Sequence, residues 1–385
     1  MTRAQADDLA ARDVPHGLGG QRRRAVVRES GILVHAATAS LRRGPSSSAP
    51  RLPCEVTIRA VTPDASDPIE ELFARGVTDG LPVVPPTAER VGATVAASGR
   101  GGDELIGLVA PANGRATVER VAVNAVMAGC RPEYIPVVIA AVSAICDPEF
   151  SLVGVSGTTD AVTPLVIVNG PIRRALDVNC AASVFGAGFR ANATIGRAVR
   201  LVWVNVGGAR PGVISMSTFG QPGRYSYCIG EHEEASPWEP LSVEHGFAAA
   251  DSTVAVLAAE APQIVVNAGG RRARDILSTV ARAGAVIASP DLAPLGDTLL
   301  VIGPEHAATI AADGWSKADV RRFVWEQCQV TVDGARTPKF REPACLHVLV
   351  AGGTAGRFSA WVPGWPFRGA PSRLVFRGVA TSGLQ

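Results

Sequence analysis

The ionisable side chains of this 385-residue chain crowd into one stretch, Phe185 to Pro240. FGAGFRANATIGRAVRLVWVNVGG carries Arg190, Asn192 and Arg197, and GRYSYCIGEHEEASPWEP carries Tyr225, Tyr227, Cys228, Glu231, His232, Glu233, Glu234 and Glu239. A guanidinium offers a planar fork of donors that matches a carboxylate or phosphate. Arg190 and Arg197 are therefore read as anion-holding groups on a helix whose N-cap is Asn192. Crowded carboxylates raise one another's pKa towards neutrality, which suits Glu231 or Glu233 to general acid–base work. Two thiols are secondary choices. Cys228 has His232 nearby as a base but is surrounded by carboxylates that oppose a thiolate, and Cys130 stands beside Arg131 but at a helix C-terminus, whose dipole opposes one too. EHEE lacks the i, i+4 histidine pair of a HExxH helix, so no metal site is expected. Thr158 and Thr159, in a polar turn at a strand end, complete the substrate-binding set with Arg131 and Tyr227.

These residues need a scaffold, and the rest of the chain supplies one. Apolar residues make up 47% of it but aromatics only 5%, a balance that favours close helix-on-sheet packing and an α/β fold. Continuous apolar runs ending in glycine or a polar turn predict buried strands at 104–110, 151–157, 164–170, 252–260, 263–270 and 297–303. Asp67, Thr87, Thr117 and the Ser316–Asp319 pair sit where helix N-caps belong, and Gly129 where a helix should stop. LHVLVAGGTAGRFSAWVPGW reads as a strand, a glycine turn and a return strand. The expectation is a sheet with helices packed on both faces, in two lobes: 63–250 with the site and 251–385 as a second α/β unit. Residues 1–62, with GGQRRR and LRRGPSSSAPRLP, read as a disordered basic tail.

Several function classes lose support from composition alone. A formal net charge of +2, with no aromatic–basic interleaving, gives no polyanion-binding surface, so no nucleic-acid partner is expected. No apolar run approaches the roughly 20 residues that cross a bilayer, so no membrane partner is expected either. Seven cysteines, an odd number without CxxC, suit reduced thiols and a cytoplasmic setting. The chain has neither GxGxxG nor GxxxxGK[ST], which leaves the cofactor unknown.

DGLPVVPPT, NAVMAGCRPEYIPVV, FRANATIGRAVRL and YSYCIGEHEEASPWEPL resemble a poorly characterised bacterial family, over roughly residues 68–330. Its members carry varied labels, some thioredoxin-like and some linked to proteins with a UGSC selenocysteine motif. The resemblance implies that the four motifs belong to one module, and that relatives have Asn where His232 stands. No CxxC or CGSC occurs here, so redox chemistry would need separated cysteines. Two functions are carried forward. The first is an enzyme acting on a small anionic or carbonyl metabolite, with Glu231 or Glu233 moving a proton. The alternative is a non-catalytic subunit of a thiol/selenol redox complex, docking a redox partner protein through Cys228 or Cys130.

Overall fold

The computed structural model describes residues 67–366 and 372–380. The stretch read as a basic tail lies outside the described residues. The helix starts follow their caps. Asp67 accepts from Ile69 N at 2.8 Å to open α1 (Pro68–Ala74), while Thr87 and Thr117 accept from Arg90 N and Arg120 N at 3.3 Å to open α2 (Ala88–Ala97) and α3 (Val118–Ala128). Gly129, at φ 91°, ends α3 in the left-handed conformation that favours glycine. The following α4 (Ile135–Ile145) is buried on almost every side. Between α2 and α3, β1 (Leu105–Val109) pairs only with β2 (Gly114–Thr117). Residues 104–110 are therefore not a buried strand, and Leu105 and Leu108 are exposed on this two-stranded ribbon.

A second correction concerns 151–157, which form the short helix α5 (Leu152–Gly157). Leu152, Val155 and Ser156 turn inward at helical spacing, and Ser156 Oγ donates to Leu152 O at 2.7 Å. A run this short has no decisive period of its own. The strands expected at 164–170, 252–260 and 297–303 form and are buried, whereas that at 263–270 shortens to an edge strand with Ile264 and Val266 exposed. β3 (Thr163–Asn169) leads to α6 (Pro171–Ala175), α7 (Arg190–Asn205), β4 (Cys228–Gly230) and α8 (Leu241–Glu244). Then come β5 (Thr253–Ala259), β6 (Gln263–Val266), α9 (Ala273–Ala285), β7 (Thr298–Ile302) and α10 (Pro304–Ala312). The capping box of Ser316 and Asp319 opens α11 (Lys317–Gln327), and β8 (Gln329–Val332) with β9 (Ala335–Pro338) make a second ribbon. β10 (Leu346–Val350), β11 (Phe358–Val362) and β12 (Val375–Gly378) finish the sheets.

Two four-stranded sheets result, ordered β12-β5-β3-β4 and β10-β7-β11-β6. In the first, β3 runs antiparallel to β5 and parallel to β4. In the second, β10 is parallel to β7, and β11 lies on the other side of β7. β10 and β11 are thus not a hairpin, and the glycine-rich segment between them crosses the end of β7. The fold is α/β, with helices on both outer sides and a second sheet between them. Leu165, Ile167 and Leu257 of one sheet pack directly on Leu299, Leu349 and Val362 of the other. On the outer faces, Val166 and Val256 meet α3, α4 and α7, while Leu300 and Val348 meet α9, α10 and α11. Each such fully buried side chain contributes about 1.5–3 kcal/mol. The described residues belong to one compact unit, and a division at 250 does not follow the sheets, because β5 and β12 complete the first one.

The long helix α7 meets the loop before β4 at Gly196. A Cβ there would stand 2.5 Å from Tyr227 N and 2.6 Å from Ser226 Oγ. Alanine ordinarily favours a helix by up to about 1 kcal/mol over glycine, but the backbone contact cannot yield cheaply. Gly196→Ala is therefore expected to lower the unfolding free energy by about 1–3 kcal/mol in denaturant titration.

Candidate functional site

The carboxylate loop lies at the carboxyl ends of β3 and β4. Glu231 is fully buried; its Oε2 accepts from Asn169 Nδ2 at 2.5 Å and Leu241 N at 2.8 Å. Its Oε1 has no hydrogen-bond partner and stands 3.8 Å from Lys317 Nζ, itself shared with Glu244 at 3.2 Å. Burial pushes the Glu231 carboxyl up to about 7 against the pull of Lys317. Glu233 accepts from Gly170 N at 2.7 Å and Asn169 Nδ2 at 3.2 Å, and Glu234 pairs with Arg173 and Arg174. These carboxylates tie the loop to the sheet and to α6 and α11, and Glu231 meets no solvent. Cys180, His232 and Glu234 bring ligand atoms within 4.8 Å of one another. Arg173 Nη1 donates to Cys180 Sγ at 3.2 Å as well as pairing with Glu234, so positive charge already fills that corner and a cation fits it poorly.

The other expected residues are spread along α7 and its neighbours. α7 begins at Arg190, so Asn192 is not a cap; it is buried in the first turn. Its Oδ1 accepts from Asn179 N at 2.8 Å, and its Nδ2 donates to Asn179 O and Cys228 O. Arg190 donates twice to Gly129 O, at 3.0 and 3.1 Å, closing the end of α3. Arg197 donates to both oxygens of Asp79 at 2.8 Å and to Leu81 O and Pro82 O, which fastens the DGLP strap to α7. Arg131 is 3.9 Å from Glu133 on the surface. Thr158 Oγ1 accepts from Trp365 Nε1 at 3.3 Å, and Thr159 O accepts from Thr218 N at 2.8 Å. Tyr227 is buried, with its hydroxyl donating to Glu260 O at 3.1 Å. Burial pushes the Cys130 thiol up to about 12 and raises that of Cys228 as well, which disfavours thiolate chemistry at both.

At the opposite end of β3, roughly 20 Å away at about 3.3 Å per residue, two arginines outside the expected set line a cavity of about 630 Å³. Arg200 projects from the apolar half of α7, only 5% exposed, with its guanidinium 4.4 Å from the Trp203 ring centroid. Its Nη1 has no partner. Arg224 donates to Ser215 Oγ at 2.5 Å, and its Nε is also unpartnered. Neither forms an ion pair among the described residues, although Asp79 stands in the same wall with both oxygens held by Arg197. Burial, and then the neighbouring Arg224, push Arg200 down to about 9. The unsatisfied groups of this pair are both N–H donors buried from solvent, and the two guanidinium groups together bring positive charge to the cavity wall.

Asp160 is the acidic neighbour of Arg224, and Glu260 the acidic neighbour of Asp160. Burial raises Asp160, opposed by Ala161 N and Arg224, and burial with the Asp160 charge pushes Glu260 up to about 7. Gln221, in the cavity wall, donates to Ala259 O at 3.1 Å, which places the end of β5 next to the cavity, and Glu260 is the next residue in the chain. Arg200, Arg224 and Glu260 lie outside the expected set, while Asp160 belongs to the polar turn of Thr158 and Thr159 expected to face a ligand. The one signal was an arginine standing among Val199, Leu201, Val202 and Trp203, on the buried side of an amphipathic helix.

No protein-family model, curated protein or solved structure matches this chain.

The two carboxyls near 7 impose a pH dependence. Glu231 holds its proton to about pH 7 when folded, against an ordinary value of 4.5, so the unfolded chain releases a proton first as pH rises. Stability is thereby lost between about pH 4.5 and 7. Glu231→Gln, which cannot ionise, is expected to lose less stability than the parent protein between pH 5 and 8 in chemical denaturation.

Proposed function

We propose that this chain is an enzyme acting on a small organic anion by general acid–base chemistry, with the anion held by Arg200 and Arg224. The observation that supports this most is Arg200 itself: a residue only 5% exposed, without an ion pair among the described residues, beside a second arginine that also lacks one in a cavity wall. Leaving a charge buried and uncompensated costs several kcal/mol, and function is the common reason to retain it. Charge-assisted hydrogen bonds to each guanidinium, about 1.5–3 kcal/mol apiece, would offset that cost when an anion binds.

Proton transfer is assigned to Glu260, which replaces Glu231 and Glu233 in that role. A general base works best with a pKa near the working pH, and burial beside Asp160 brings Glu260 there. Glu231 shares the value but is sealed from solvent and locked to Asn169 and Leu241. In a bound oxo acid, the arginines would hold the carboxylate and polarise the neighbouring carbonyl, making an adjacent C–H more acidic. Glu260 would then accept that proton.

The direct test is exchange of solvent deuterium into a panel of 2-oxo acids, followed by NMR. Catalysed exchange is expected to rise with pH through about 7, where Glu260 ionises. It should fall by two to four orders of magnitude in Glu260→Gln, the usual contribution of a positioned base. Exchange that persists in Glu260→Gln, or that ignores Arg200→Met, contradicts the assignment.

A further inference from the structure

The cavity has two chemically different zones. Arg200 is buried and Arg224 half-buried, whereas Phe219 and Tyr225, 95% and 51% exposed, are the solvent-facing aromatics of its lining. Between them the wall is mainly apolar, from Val204, Pro211 and Pro222. Its polar side chains are largely engaged: Gln221 bonds Ala259 O and Gly223 N, Ser217 accepts from Gly220 N, and Ser215 accepts from Arg224. Beyond the two arginines, few polar groups remain to recognise a hydroxylated or strongly polar ligand body.

The loop that carries the rim is unusual in what it shows to water. Val213 and Met216 are 70% and 54% exposed, and Phe219 almost completely so. It is bounded by Gly212 and Gly220, at φ 73° and 65°, where left-handed backbone excludes most other residues. Scattered exposed apolar residues need no explanation, but Phe219 stands on a loop with two others and itself lines the cavity, where a ligand could cover it. A volume of about 630 Å³ is also several times larger than a bare phosphate or acetate would fill.

Resting on the anion-site reading, we infer that the ligand is an amphipathic organic acid, with its anionic group on Arg200 and Arg224 and an aromatic body under Phe219 and Tyr225. A flat ring suits this mouth because two aromatic side chains line it, and ring–ring contacts add about 0.5–1.5 kcal/mol beyond the area they bury. Phe219 is then the specificity-determining residue. Its ring separates an arylated anion from the bare one while leaving the charge contacts unchanged.

Calorimetric titration of the full chain with matched pairs tests this: acetate against phenylacetate, and phosphate against phenyl phosphate. The aryl member of each pair is expected to bind at least about tenfold more tightly, from burial of one ring. Phe219→Ala should remove most of that preference, and Arg200→Met should abolish binding of all four. Phe219 is exposed, so its replacement leaves the fold intact. Equal affinity within both pairs, with binding still lost in Arg200→Met, overturns the aromatic ligand but spares the anion site. Binding unaffected by Arg200→Met overturns both. If Phe219→Ala instead changes only the oligomeric mass in sedimentation, the rim is an interface between copies and the inference fails.

Discussion

Arg200 lies flat on Trp203 inside the helix layer, and its charge has no carboxylate of its own. The indole beneath it is pinned by Nε1 donating to Ser156 Oγ at 2.9 Å, and Ser156 in turn bonds Leu152 O within α5. α5, α7 and the loop after it thus hold one guanidinium in a fixed place. A cation–π contact contributes about 0.5–2 kcal/mol, well short of the hydration an arginine gives up on burial. Among the described residues Arg197 pairs with Asp79, Arg173 with Glu234 and Lys317 with Glu244, whereas the fully buried Lys339 has backbone carbonyls, Ala288 O and Ser289 O, in place of a carboxylate.

The two ends of β3 divide the work. At the carboxyl end, Glu231, Glu233 and Glu234 bind backbone amides, Asn169 and basic partners from α6 and α11, so their charge is spent on joining elements distant in sequence. At the amino end, the polar turn 156–160, the end of β5 and the loop 210–225 meet around arginines whose donors are not all used. A packed sheet pair makes this separation rigid. β3 is buried along its whole length, with one face on the other sheet and one on the helices.

Local chemistry was legible in the sequence wherever its cause was local. The caps at Asp67, Thr87, Thr117 and Ser316, the stop at Gly129, and β3, β5 and β7 all depend on residues within a few positions. What was not legible depended on distant partners. Arg197 looks free in FRANATIGRAVRL, but its partner Asp79 is 118 positions away, and Asn192 looks like a cap until Asn179 and Cys228 claim it. A continuous apolar strand such as β3 shows that both faces are covered, not that a second sheet covers one of them. Between Phe185 and Pro240 most of the charge is engaged in hydrogen bonds and ion pairs that join distant elements. The exception was the arginine that broke an apolar stripe.

The account turns on an uncompensated charge at Arg200, and linkage between anion binding and stability reports on it most directly. Thermal unfolding of the parent protein and of Arg200→Met would be followed as phenyl phosphate replaces chloride at constant ionic strength. The account predicts that the variant starts at least as stable as the parent, because a buried unpaired charge is gone, and that only the parent gains stability saturably with the anion. A variant that begins much less stable, or that gains as much as the parent, would contradict it.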